Sequence, residues 1–141
     1  MRKKDWRGVK KLQFGQKDMT TRPKYLNLLQ IRLPLPALVS IMHRVSGAVL
    51  FLSLPILLFA WQSSLTSADT FDAFRQVASN WCVKIVMLAL LWGYFHHLCA
   101  GIRHLVMDID LGTELATARF TSKLVVVIGI TLTIVVGACL W

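Results

Sequence analysis

Polar and basic positions dominate the chain as far as about residue 33, and three long apolar blocks then alternate with two shorter polar segments. The apolar blocks run from about Leu35 to Trp61, from about Trp81 to Met107 and from about Leu124 to Trp141. Each has at least the ~18–20 residues that a helix needs to cross a ~30 Å hydrocarbon layer. In lipid, an isolated segment satisfies its backbone N–H and C=O groups only as a helix. The pattern therefore predicts an all-α membrane protein with three transmembrane helices. Residues 1–28 read as a basic arm and residues 29–141 as the membrane anchor domain. The first helix is expected to begin near Pro36, where a missing N–H is tolerated. Pro55 is expected to kink its outer half. Between Gln62 and Asn80 the chain turns polar, with a short surface turn or helix over Ser67–Ala73. The polar stretch Asp108–Ser122 has room for a helical extension and a turn.

Charge adds an orientation to this picture. The net charge is +9, and ten of the sixteen Lys and Arg residues precede Pro34. Such crowding beside a membrane span argues against a nucleic-acid surface. It follows the positive-inside rule and places the N-terminus inside and the C-terminus outside. The first connection carries Asp69, Asp72 and Arg75, as an outer loop would. Trp61, Trp81 and Trp141 fall at the three outer ends, where an interfacial aromatic belt belongs. The N-terminal stretch lacks the pattern of a signal peptide and the serine richness of a transit peptide, so a bacterial inner membrane is expected. Cys82, Cys99 and Cys139 have no metal-type spacing, and no CxxCH motif occurs. Any haem is therefore expected to be non-covalent.

The second span carries the most informative stripe. His97 and His104 are seven residues apart, which puts both on one helix face about 10.5 Å apart along the axis. Gly93 and Gly101 lie four residues either side of His97. An axial imidazole with cleared backbone above and below it suits a flat macrocycle. Small residues in membrane helices also serve close helix packing, and that is the competing reading of the glycines. The reading taken is that His97 is an axial ligand of a b-type haem. His96 is rotated by about 100° from it, lacks the glycine stripe, and is expected to bond a neighbouring helix. No second histidine is expected at comparable depth on a facing helix, so two-histidine ligation would require another subunit.

The first span opens with a polar stripe of its own. In SIMHRVSG, Ser40, His43, Arg44 and Gly47 recur at i, i+3, i+4 and i+7, one face of a helix otherwise apolar here. Arg44 alone could snorkel to the headgroups. A serine and a histidine on the same face are not explained that way, and the stripe is expected to face protein, a cofactor or a small polar head group. Both stripes fall toward the same side of the membrane, so Arg44, His43 and His104 could meet haem propionates. Arginine suits paired carboxylates because its planar fork matches them.

Together these segments resemble the cytochrome b subunit of succinate dehydrogenase, respiratory complex II. The resemblance rests on RPKYLNLLQIRLPLPALVSIMHRVSG, Arg22 to Gly47, and on HHLCAGIRHLVMD, His96 to Asp108. It implies an assembly with a flavoprotein, an iron–sulfur protein and a second small membrane anchor, this chain being the larger-type anchor. It also implies a haem b shared between the two anchors. His97, four residues before Gly101, matches the ligand position, while His43 and His104 match positions near the propionates. Ser40 and Arg44 match residues lining the ubiquinone pocket. The chain itself carries no dinucleotide-binding glycine pattern and no cysteine cluster for an iron–sulfur centre. Competing classes are the anchor of a fumarate reductase, and a small transporter or structural membrane subunit without haem. Paired broken helices in repeated halves, a common mark of transporters, are not seen.

Overall fold

The computed structural model describes residues 33–140. The basic arm, the Arg22–Arg32 part of the first motif and Trp141 lie outside the described residues. Four helices follow in order: α1 Leu35–Ser64, α2 Ala68–Ser79, α3 Trp81–Asp108 and α4 Leu115–Leu140. Helices α1, α3 and α4 are long and apolar enough to cross a membrane. No strand occurs among the described residues. The fold is an all-helical membrane anchor, as the apolar blocks predict. With 30 residues, α1 extends about 45 Å, so it either tilts or projects beyond the hydrocarbon layer.

The helix ends follow from local chemistry. Pro34 is extended (ψ 152°), and its carbonyl accepts from the Ala37 and Leu38 N–H groups at 2.9 and 3.2 Å. Pro36 sits in the first turn, where its absent N–H leaves no acceptor unserved. Helix α1 continues through Pro55 to Ser64. Ser67 and Thr70 form a reciprocal capping box that starts α2, which runs to Ser79, further than the expected Ser67–Ala73. The Asn80 side chain then caps α3 by accepting from the Cys82 N–H at 2.9 Å. Between α3 and α4 the backbone turns through Asp110 (φ 60°) and Gly112 (φ 74°). Helix α4 begins at Leu115, well before the apolar block at Leu124. Its first turns are built from Ala116, Ala118 and Arg119, good helix formers that need no burial in lipid.

Helix α3 packs on both α1 and α4, which also touch each other. The interior is made mostly of small groups: Ala100 and Ser122 are fully buried, Ala118, Val125, Gly129 and Gly137 are buried with them, and Val39, His96 and Arg103 are the larger side chains among them. A Cβ at Gly129 would stand 3.6 Å from the His96 Cα and N, so α3 and α4 meet backbone to backbone there. Close approach of this kind supplies the dispersion contacts that hold membrane helices together. Buried hydroxyls are satisfied within their own helix; Ser122 donates to the Ala118 carbonyl and Thr133 to the Gly129 carbonyl, each at 2.7 Å. Most of the large apolar side chains point outward instead. Phe51, Phe59 and Leu105 are about seven-tenths exposed, as side chains facing lipid or another subunit would be.

Candidate functional site

The first half of α1 runs against the second half of α3, and the two polar stripes meet there. The His97 ring lies against α1 at Gly47, where a Cβ would fall 2.7 Å from Cε1 and 3.2 Å from Nδ1. Its Nδ1 is 3.0 Å from the main-chain carbonyl oxygen of His43 and 3.4 Å from the Ser46 hydroxyl. Ser46 Oγ itself donates to that same His43 carbonyl at 2.9 Å. The Nε2 atom of His97 makes no hydrogen bond within the described residues, and the residue is half-buried.

Three imidazoles gather at this contact. His43 stacks on His97 with centroids 4.2 Å apart and 13° between planes, and His104 lies 5.2 Å from His43 at 48°. This overturns the expectation that no histidine stands beside His97 on a facing helix. The reason is the axial register of α1 on α3, which sets His43 level with His97. The rings lie flat against each other, however. Two imidazoles ligating opposite faces of one macrocycle must point at each other across it, so His43 is not placed as the second ligand.

The glycine stripe also has a different role from the one expected. Gly101 lies under His43, whose Nε2 would be 3.4 Å from a Cβ there, and the nearest neighbour of Gly93 is the Ser46 Cβ at 3.9 Å. Both glycines admit α1 instead of clearing a flat face beside His97. Close helix packing is the better account of them.

His96 points the other way, into the interior. It is 1 % exposed, packed near α4 at Gly129 and beside the Trp92 ring at 5.5 Å. Neither ring nitrogen reaches full hydrogen-bond geometry, but the ring comes close to the Val39 backbone on α1, the neighbouring helix, so the expected bond is approached without being fully formed. Its rotation of about 100° from His97 carries it off the His43–His97 stack to this position between Gly129 of α4 and the Val39 backbone of α1.

Ser40 is half-buried and Arg44 exposed on α1. They share the helix face of His43, but no hydrogen bond joins either to the imidazoles among the described residues. Asp108 is exposed at the end of α3. Three residues were missed by the sequence reading. Ser46 was not part of the stripe, although it stands three positions after His43. Gly47 was noted only as a stripe position. Arg103 entered no site prediction, yet it lies inside α3 at 8 % exposure. Its Nε donates to Thr121 Oγ1 at 3.0 Å and its Nη2 to the Ala118 carbonyl at 3.4 Å. Arg103 is seven positions after His96 and three after Ala100, which puts all three on the buried face of α3. That spacing was a usable signal.

A bundle of three apolar helices, with imidazoles gathered between the first and second, is the architecture of a membrane-anchor subunit. The family model described as succinate dehydrogenase/fumarate reductase transmembrane subunit matches residues 19–136. The chain belongs to this family. Among its relatives is the succinate dehydrogenase cytochrome b556 subunit of Coxiella burnetii, 32% identical over 121 residues, 85% of this chain and 97% of that one. The protein of the same name from Rickettsia felis is 36% identical over 118 residues, 84% of this chain and 92% of its own length. That from Paracoccus denitrificans is 32% identical over 102 residues, covering 72% and 78%.

Proposed function

We propose that this chain is the larger-type membrane anchor of a succinate:quinone oxidoreductase. In this reading it holds a b-type haem jointly with a second small anchor and forms part of the ubiquinone site. A flavoprotein and an iron–sulfur protein deliver electrons from succinate. The bacterial relatives support a bacterial inner membrane, and the basic N-terminal residues support an N-inside orientation.

The observation that carries the proposal is the setting of His97. One ring nitrogen is tied to α1 and the other has no hydrogen-bond partner among the described residues, which is how a protein presents a histidine to a metal. No group of three or more His, Cys, Asp or Glu side chains among the described residues could hold a metal ion. A metal held by His97 would therefore need ligands from outside these residues, and a haem would bring its own. His43 and His104 lie beside His97 and can receive propionates. Since His43 lies flat on His97, the ligand on the opposite face is assigned to the second anchor. When bound, such a haem supplies a one-electron centre inside the bilayer.

Ser40 and Arg44 supply the quinone chemistry in this reading. Reduction of a quinone takes two electrons and two protons. A serine hydroxyl donates a hydrogen bond to a quinone carbonyl oxygen, and a nearby guanidinium favours the negative charge that builds on it. The exposure of Arg44 on an apolar helix supports a site completed by another subunit, because a charge at that depth needs a polar neighbour.

The test is the reduced-minus-oxidised absorbance spectrum of the complex purified with its partners. His97→Ala should abolish or convert the low-spin haem spectrum, and His96→Ala should leave it in place. The reverse pattern would move the ligand to His96. The family description covers fumarate reductases as well, which keeps the reverse reaction as a second reading. Identification of the copurifying quinone separates the two, since fumarate reduction needs a lower-potential quinol.

A further inference from the structure

We propose that the main-chain carbonyl of His43, reached through the gap at Gly47, selects the nitrogen that His97 offers to the haem iron, with Gly47 and Ser46 as positioning residues. The inference rests on the axial role proposed above for His97.

A carbonyl oxygen can only accept, so the 3.0 Å contact between His43 O and His97 Nδ1 requires the proton to be on Nδ1. A neutral imidazole protonated at Nδ1 carries its lone pair on Nε2. Ser46 agrees with this assignment. Its hydroxyl hydrogen is directed to the His43 carbonyl, so toward Nδ1, 3.4 Å away, it presents a lone pair. Nδ1–H thus points between two acceptors, both fixed on α1, and Nε2 is the nitrogen left to coordinate.

Gly47 is the condition for this bond. A Cβ at that position would lie 2.7 Å from Cε1 and 3.2 Å from Nδ1. Cε1 belongs to a rigid ring and cannot bend aside as the tip of a flexible chain would. Any side chain at position 47 therefore turns or lifts the ring away from the His43 carbonyl. Acceptors of this kind orient a ligating histidine and raise its basicity, which favours the oxidised metal. The stripe on α1 thereby sets the ligand geometry on α3, although it holds no ligand itself.

The experiment replaces the side chain with free ligands in the assembled complex. His97→Gly should lose the low-spin haem spectrum. Added imidazole, which has an N–H to give to the carbonyl, should restore it at a concentration about tenfold lower than 1-methylimidazole, which has none. Equal rescue by the two would overturn the inference and leave the axial role standing. A low-spin spectrum that persists in His97→Gly without added ligand would instead overturn the axial role. Gly47→Ala in the full complex is the independent arm. It should raise the haem midpoint potential and shift the low-spin electron paramagnetic resonance g-values, and Ser46→Ala should change both less. An assembled Gly47→Ala complex with unchanged potential and g-values would sink the proposal.

Discussion

The imidazoles of His43 and His97 lie face to face, 4.2 Å apart and within 13° of parallel. Helices α1 and α3 therefore touch through two polar rings where a membrane protein ordinarily places small or aliphatic groups. The bond that anchors His97 comes from the main chain of His43, so it survives replacement of the His43 side chain. What the ring adds is a flat surface on one side and a link to His104 on the other.

His43→Ala should thus keep the haem low-spin while weakening its retention, by about tenfold on the scale of outer-shell changes. The ratio of haem to flavin after purification in detergent measures this. Haem content equal to that of the unchanged complex would show that the ring is dispensable.

His96 presents the opposite case. It is buried, and neither ring nitrogen reaches full hydrogen-bond geometry, with only a loose approach to the Val39 backbone of α1. A buried polar group without a partner costs on the order of 1–3 kcal/mol. Replacing it with an apolar residue of similar size should relieve that cost. His96→Leu should leave the haem spectrum unchanged and the thermal dissociation temperature of the complex equal or higher. A drop of several degrees would mean that the ring is bonded in the assembled protein.

Arg103 holds α3 to α4 through Thr121 and the Ala118 carbonyl. Bonds from a charged donor in a water-poor setting contribute about 1.5–3 kcal/mol. Arg103→Leu should lower resistance to detergent dissociation by an energy of that order. Arg103→Lys should recover only part of it, because an ammonium cannot span both acceptors with a planar fork. Full recovery by lysine would show that charge alone matters here.

Ser40 and Arg44 are tested by separating two electron acceptors. Ser40→Ala and Arg44→Leu should slow succinate-driven quinone reduction by about tenfold or more, the range for losing one stabilising polar group at a reacting oxygen. Succinate oxidation by a water-soluble artificial acceptor should stay nearly the same, since it bypasses the membrane subunits. Equal losses in both assays would point to failed assembly.

The three spans were legible because lipid imposes a strong rule on composition, and Leu35, Trp81 and the α1 polar stripe mark their places without help from neighbours. Capping was legible in part, through Pro36 at the start of α1 and the serine before α2. The start of α4 at Leu115 was not, since helix formers outside the bilayer carry no apolar signature. The glycines beside His97 were ambiguous for a physical reason. A missing side chain makes room, and the same room suits a macrocycle or another helix.

By itself, the order of residues determined which positions share a helix face: His97 with His104, Ser40 with His43 and Arg44, and His96 apart from His97. Periodicity sets the angle of each side chain about its own axis, so those groupings need no knowledge of the fold. Only the tertiary structure decided what each face meets. It placed Gly47 against the His97 ring, the His43 carbonyl on its Nδ1, and Arg103 under the first turns of α4. Such pairings depend on the axial offset and crossing of two helices. Many small contacts set these jointly, and no repeat along one helix records them.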